Sequence, residues 1–142
     1  MTPVLPLFDK PDPAAAQAIH APLLAFNNAA SGYPFDGKTL VISVTDPDAN
    51  QLVGGLWGST SYGWLHVDML ILPESLRHQG FGSQLMRQAE QEAVRRGCRG
   101  AYLDTFDFQA RGFYERLGYS VFGTLEDNPP GHSRFFLRKS LC

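Results

Sequence analysis

Apolar and polar positions alternate along much of the chain, and the points where the period changes from two to about 3.6 divide it into elements. Residues 39–45 read Thr-Leu-Val-Ile-Ser-Val-Thr, a β-branched run that predicts a strand. Asp46-Pro47-Asp48-Ala49-Asn50 is turn chemistry, and residues 51–59 resume as a second strand. Gly54, Gly55 and Gly58 inside that strand point to a bulge or a close backbone approach. Tyr62-Gly63 turns the chain into an apolar run over residues 64–72, and the hairpin spacing predicts an antiparallel meander of three strands.

Over residues 82–96 the period lengthens. Leu85, Met86, Ala89, Ala93 and Val94 then share one helical face, and Gly97 ends the helix. Residues 101–106 form the next strand, expected to run parallel to the third because a whole helix separates them. A short helix over 109–117 stops at Gly118, and late strands follow at 119–125 and 133–137. At the front, residues 4–8 read as a short strand. Asp12-Pro13 reads as an N-cap with proline at the first helical position, opening an alanine-rich helix over 14–30 that Pro22 should break or kink. The expected architecture is one α/β domain over residues 1–142 with a mixed, mostly antiparallel sheet flanked by helices.

Composition narrows the function classes. A chain of 142 residues with 44% apolar and 18% charged residues can bury a core without staples. A net charge of −2 predicts no general affinity for nucleic acid or an anionic membrane, so an anion site would be local. The two cysteines, Cys98 and Cys142, are too few for a disulfide framework, which points to a reducing cytoplasm. Cys98 reads as an inert buried thiol. No signal peptide opens the sequence and no stretch will span a membrane.

The densest chemical signal follows the third strand. After Leu72-Pro73 comes the polar loop Glu74-Ser75-Leu76-Arg77-His78-Gln79-Gly80-Phe81-Gly82-Ser83, which opens the amphipathic helix. Gly80 and Gly82 let backbone approach a ligand, the first amides of the helix are unpaired donors at the positive end of its dipole, and Arg77 adds a full charge. The loop is not a Walker loop, since no Gly-Lys-Ser/Thr follows, and it lacks the third glycine of a dinucleotide fingerprint.

In this setting Arg77-x-x-Gly80-x-Gly82 resembles the Arg/Gln-x-x-Gly-x-Gly/Ala motif of the GNAT N-acetyltransferase superfamily. Phe113-Tyr114-Glu115-Arg116-Leu117-Gly118-Tyr119 resembles that family's Phe-Tyr-x-x-x-Gly-Phe/Tyr segment. The resemblance covers residues 53–137. It implies a splayed central pair of parallel strands and transfer of an acetyl group from acetyl-CoA to a primary amine, with no metal, by direct attack in a ternary complex. Arg77, His78, Gln79, Gly80, Phe81, Gly82 and Ser83 would cradle the pyrophosphate. The backbone of Leu70, Ile71 and Leu72 would pair with the pantetheine arm as an added strand, and Phe108, Ala110 and Phe113 would pack around the arm and thiol.

An alkylammonium with a pKa of about 10.4 must lose a proton before it attacks a thioester, and the leaving thiolate must gain one. Tyr114 matches the family position for the acid. For the base, His66, Asp68, Leu70 and Leu72 are expected on one strand face; His66 stands where some members carry a glutamate, Asp68 one pleat nearer the transfer site, and Asp104 on the partner strand. Trp57, Tyr62 and Trp64 are candidates for an aromatic wall or for packing. The acceptor is expected to be a small molecule in preference to a protein, and strand edges near the C-terminus leave a homodimer open. The rival from another class is a non-catalytic acyl-CoA sensor or interaction module on the same scaffold.

Overall fold

The β-branched run of residues 39–45 and its successors do form strands. In the computed structural model, which describes residues 1–142, they are β1 (Lys38–Asp46), β2 (Gln51–Ser61), β3 (Trp64–Ile71), β4 (Gly100–Phe106), β5 (Ser120–Glu126) and β6 (Ser133–Ser140). The helices are α1 (Pro13–Ser31), α2 (Phe81–Arg95) and α3 (Arg111–Arg116). The chain divides into two compact units, Met1–Phe35 and Asp36–Cys142.

The first unit is α1 and its flanks. Asp12 caps the helix, accepting from the amides of Ala14 and Ala15 at 3.1 and 3.3 Å, and Gly32 closes it in the left-handed conformation. Pro22 neither breaks the helix nor ends it; α1 runs on from Pro13 to Ser31. Alanine-rich turns on both sides carry the helix across the one lost hydrogen bond. Residues 4–8 are not a strand: this segment has no partner strand to supply a ladder.

The second unit is a six-stranded mixed sheet in the order β1-β2-β3-β4-β6-β5, antiparallel except at β3–β4. One face carries the core: Leu40, Leu56, Leu65, Val67, Ala101, Leu103 and Leu137 pack with Leu85, Met86, Ala89 and Ala93 of α2. Val94, expected on that face, is exposed. It sits one residue past Ala93, about 100° further round the helix, and turns out of the contact.

Two register shifts position the site. One lies between β1 and β2 beside Gly54, where the glycines predicted an irregularity. The other lies in β3: Trp57 pairs with Met69 and Gly58 with Val67, so Asp68 is the extra residue of a bulge. This bulge overturns the expectation that His66, Leu70 and Leu72 share a face. Leu65 and Val67 belong to the core face, the bulge shifts the alternation by one, and Leu70 and Leu72 then pack against the core while Met69 and Ile71 are exposed.

Candidate active site

The seam between β3 and β4 is short. Parallel pairing runs from Trp64↔Gly100 to Val67↔Leu103 and stops, although β3 continues to Ile71 and β4 to Phe106. Residues 68–71 of β3 therefore have no strand beside them on that side, which leaves a backbone edge able to accept an extended ligand as an added strand.

The glycine loop sits just beyond this edge. Residues 74–76 make one turn of 3-10 helix, and Gly80 is the N-cap of α2 with φ of +84°. No side chain caps the helix, so its first amides keep free donors pointing out of the N-terminus. Open space surrounds the position of a Gly80 Cβ, so glycine is required there for its backbone angle; at Gly82 a Cβ would come within 3.2 Å of the Phe113 ring. The two glycines have different physical reasons, and Gly82 ties the loop to α3. Arg77 donates from Nε to the Leu72 carbonyl at 3.0 Å, and Gln79 donates to the Ser75 carbonyl at 2.8 Å, bracing the loop. Because Arg77 already occupies the Leu72 carbonyl, the open edge centres on Leu70 and Ile71.

Tyr114, on α3, is buried between Phe113 and Tyr119, edge-on to both at ring separations of 5.0 and 6.1 Å. Desolvation, with the Asp104 charge adding to it, pushes its phenol up to about 12. The group therefore remains a proton-bearing donor throughout the neutral range.

On the sheet face opposite the core, Nδ1 of His66 lies 2.5 Å from the Asp68 carboxylate. The His66 ring lies on Tyr102, its register partner in β4, at 4.5 Å, and Trp64 meets Tyr102 edge-on at 6.2 Å. The Trp64 indole in turn covers Gly100, where any Cβ would collide with it. With Nδ1 held by the carboxylate, Nε2 is the nitrogen left to take a proton. Asp104 is on β4 and is committed to Arg134, whose Nε donates to it at 3.0 Å.

A second pair stands where β4 ends. Asp107 accepts from the Ser133 amide and meets Nδ1 of His132, both at 2.8 Å. These hydrogen bonds, led by the Ser133 amide, hold its carboxyl below the usual range. Phe108 stacks on Phe106 at 5.2 Å and meets His132 edge-on at 5.1 Å.

Of the residues expected at a cofactor site, the loop, the Leu70–Ile71 edge and Phe113 come together. Phe108 joins the cluster with His132, and Ala110 is the exposed cap of α3. Trp57 and Trp64 lie exposed on the His66 face, and Tyr62 is in the β2–β3 turn. Sequence reasoning missed Tyr102 and Arg134. Parallel register marks Tyr102 once β3 and β4 are aligned, whereas no local signal couples Asp104 to Arg134, thirty positions apart.

Residues 9–119 match the model of the Acetyltransferase (GNAT) family. The chain is similar to an acetyltransferase of Agrobacterium fabrum, 42% identical over 133 residues that cover 94% of this chain and 96% of the relative. It is also similar to the blasticidin-S acetyltransferase of Streptomyces morookaense, 42% identical over 95 residues, 66% of this chain and 70% of that one. Among solved structures, a crystallised Agrobacterium tumefaciens protein assigned as an acetyltransferase superposes with a TM-score of 0.89 at 41% identity, over 96% of this chain and 98% of its own.

Proposed function

The chain belongs to the acetyltransferase (GNAT) family and is an acyltransferase, and we propose that it moves an acetyl group from acetyl-CoA to a primary amine on a small molecule, by direct attack in a ternary complex. The observation that carries this reading is the early end of β3–β4 pairing at Val67 and Leu103. It leaves an open strand edge next to an uncapped helix N-terminus. An extended arm ending in a pyrophosphate fits such a pair of features: the strand backbone over Leu70 and Ile71 for the arm, the Gly80–Gly82 turn and Arg77 for the phosphates. The small-molecule acceptor draws support from the relative named for blasticidin S.

When bound, acetyl-CoA supplies an activated acyl thioester. The chain's own residues then handle protons and orientation. His66, with Nδ1 fixed by Asp68 and its ring steadied on Tyr102, takes the ammonium proton at Nε2, directly or through one water. An amide of the open β3 edge donates to the oxygen that gains negative charge. Tyr114 donates a hydrogen bond to the departing sulfur. A phenol this weakly acidic is a poor source of a fully transferred proton, so its contribution is stabilisation of the thiolate by donation. Asp104 orients Arg134 and leaves the base role to the His66–Asp68 pair. The two free cysteines fit work in a reducing cytoplasm.

The decisive experiment is a screen of small amines that reads thiol release from acetyl-CoA. Release with at least one amine is expected. Binding of coenzyme A without thiol release for any amine in the library would replace this reading with that of an acyl-CoA sensor.

A further inference from the structure

α1 contains no Asp, Glu, Lys or Arg anywhere in its nineteen residues, and none of those residues is buried. A helix with an apolar stripe along one side normally buries that stripe against a partner. Ile19, Leu23 and Phe26, spaced by four and three, form one stripe and are 69, 53 and 68% exposed. The opposite side carries Gln17, Ala21, Leu24 and Asn28, so the stripe is the face that calls for a cover. Most helical stability in proteins comes from packing such an apolar face. Upstream, Val4, Leu5, Leu7 and Phe8 are exposed as well.

From this we propose that α1 and the segment before it are an assembly arm, covered by a second copy of the chain in a symmetric dimer. The area is adequate. Aliphatic side chains of roughly 60–120 Å² and phenylalanines of about 150–250 Å², weighted by these exposures, offer roughly 600 Å² of apolar surface per copy. Over two copies that is about 1,200 Å², the size at which specific interfaces begin. A second copy also brings the same uncharged helix, so an isologous pairing covers both helices with one contact.

Sedimentation of the native chain tests the assembly, and isotope-filtered NMR of a mixture of labelled and unlabelled chains tests its location. A particle of twice 15.7 kDa with intermolecular contacts from Ile19, Leu23 or Phe26 is the expected result. The double variant Ile19→Asp, Phe26→Asp should sediment as a single copy while still unfolding cooperatively. A native chain that stays at 15.7 kDa across the micromolar range would overturn the proposal. So would a dimer whose α1 side chains contact only their own chain, a result that needs no variant to fold.

Discussion

Nδ1 of His66 and the carboxylate of Asp68 meet at 2.5 Å on the same strand, at a bulge in which Asp68 has no partner across the ladder. Two candidates for one role thus become one unit: a ring whose outer nitrogen is free, and a carboxylate that fixes its tautomer. His66→Ala is expected to lower kcat for thiol release about 100-fold or more, within the usual worth of a positioned base. Asp68→Asn should reduce kcat by less and leave the KM for acetyl-CoA unchanged. A full-rate His66→Ala enzyme would assign deprotonation to water alone.

Tyr114→Phe removes a donor and leaves the ring packing between Phe113 and Tyr119 intact. We expect kcat to fall about 10- to 100-fold, the worth of one hydrogen bond to a charged group, with little change in coenzyme A affinity. The same residue makes a pH prediction. Its folded value is raised from 10 to about 12, so between those values the unfolded chain has lost a proton that the folded one keeps. Stability should therefore fall as pH rises through that window. Denaturant melts at pH 9 to 12 should show a shallower fall in Tyr114→Phe than in the native protein.

Gly80 and Gly82 should fail in different ways. Gly80→Ala places a Cβ at φ of +84° in open space, and a cost of about 1–2 kcal/mol follows from the left-handed backbone alone. Gly82→Val pushes into Phe113, disturbing α3 as well as the loop. Thermal melts paired with coenzyme A titration would separate them: Gly80→Ala mainly destabilised, Gly82→Val impaired in binding out of proportion to its melting change.

Asp107 should matter at low pH. Its folded carboxyl is held below the ordinary value by the Ser133 amide and by His132, so its contribution is present above the unfolded value of about 3.9 and is lost as pH falls toward the folded one. Acid unfolding of Asp107→Asn followed by circular dichroism should show less dependence on pH over that range. An unchanged acid transition would mean the pair contributes nothing there.

How much of this was legible beforehand depends on range. The six strands, the amphipathic period of α2 and the glycine turn are local patterns, and each element forms within a few residues of its expected place. The helix across Pro22 differs because alanine propensity on both sides outweighed one missing bond. Val94 differs because a single position on a helix turns the side chain by about 100°, and only the packed sheet tells which positions face it.

The sequence alone determined the six strands, the amphipathic helix and the place of the glycine turn, because strand and helix periods and left-handed turn positions are properties of neighbouring residues. Tertiary structure alone decided what meets at the seam. The bulge at Asp68 changes the parity of β3 amid a continuous apolar run, Met69-Leu70-Ile71-Leu72, whose pattern reads the same in either register. His66 on Tyr102, Asp104 on Arg134 and Asp107 on His132 join residues 25 to 36 positions apart. Such pairs are chosen by strand order and register, which follow from burial summed over the whole sheet and from no local stretch of chain.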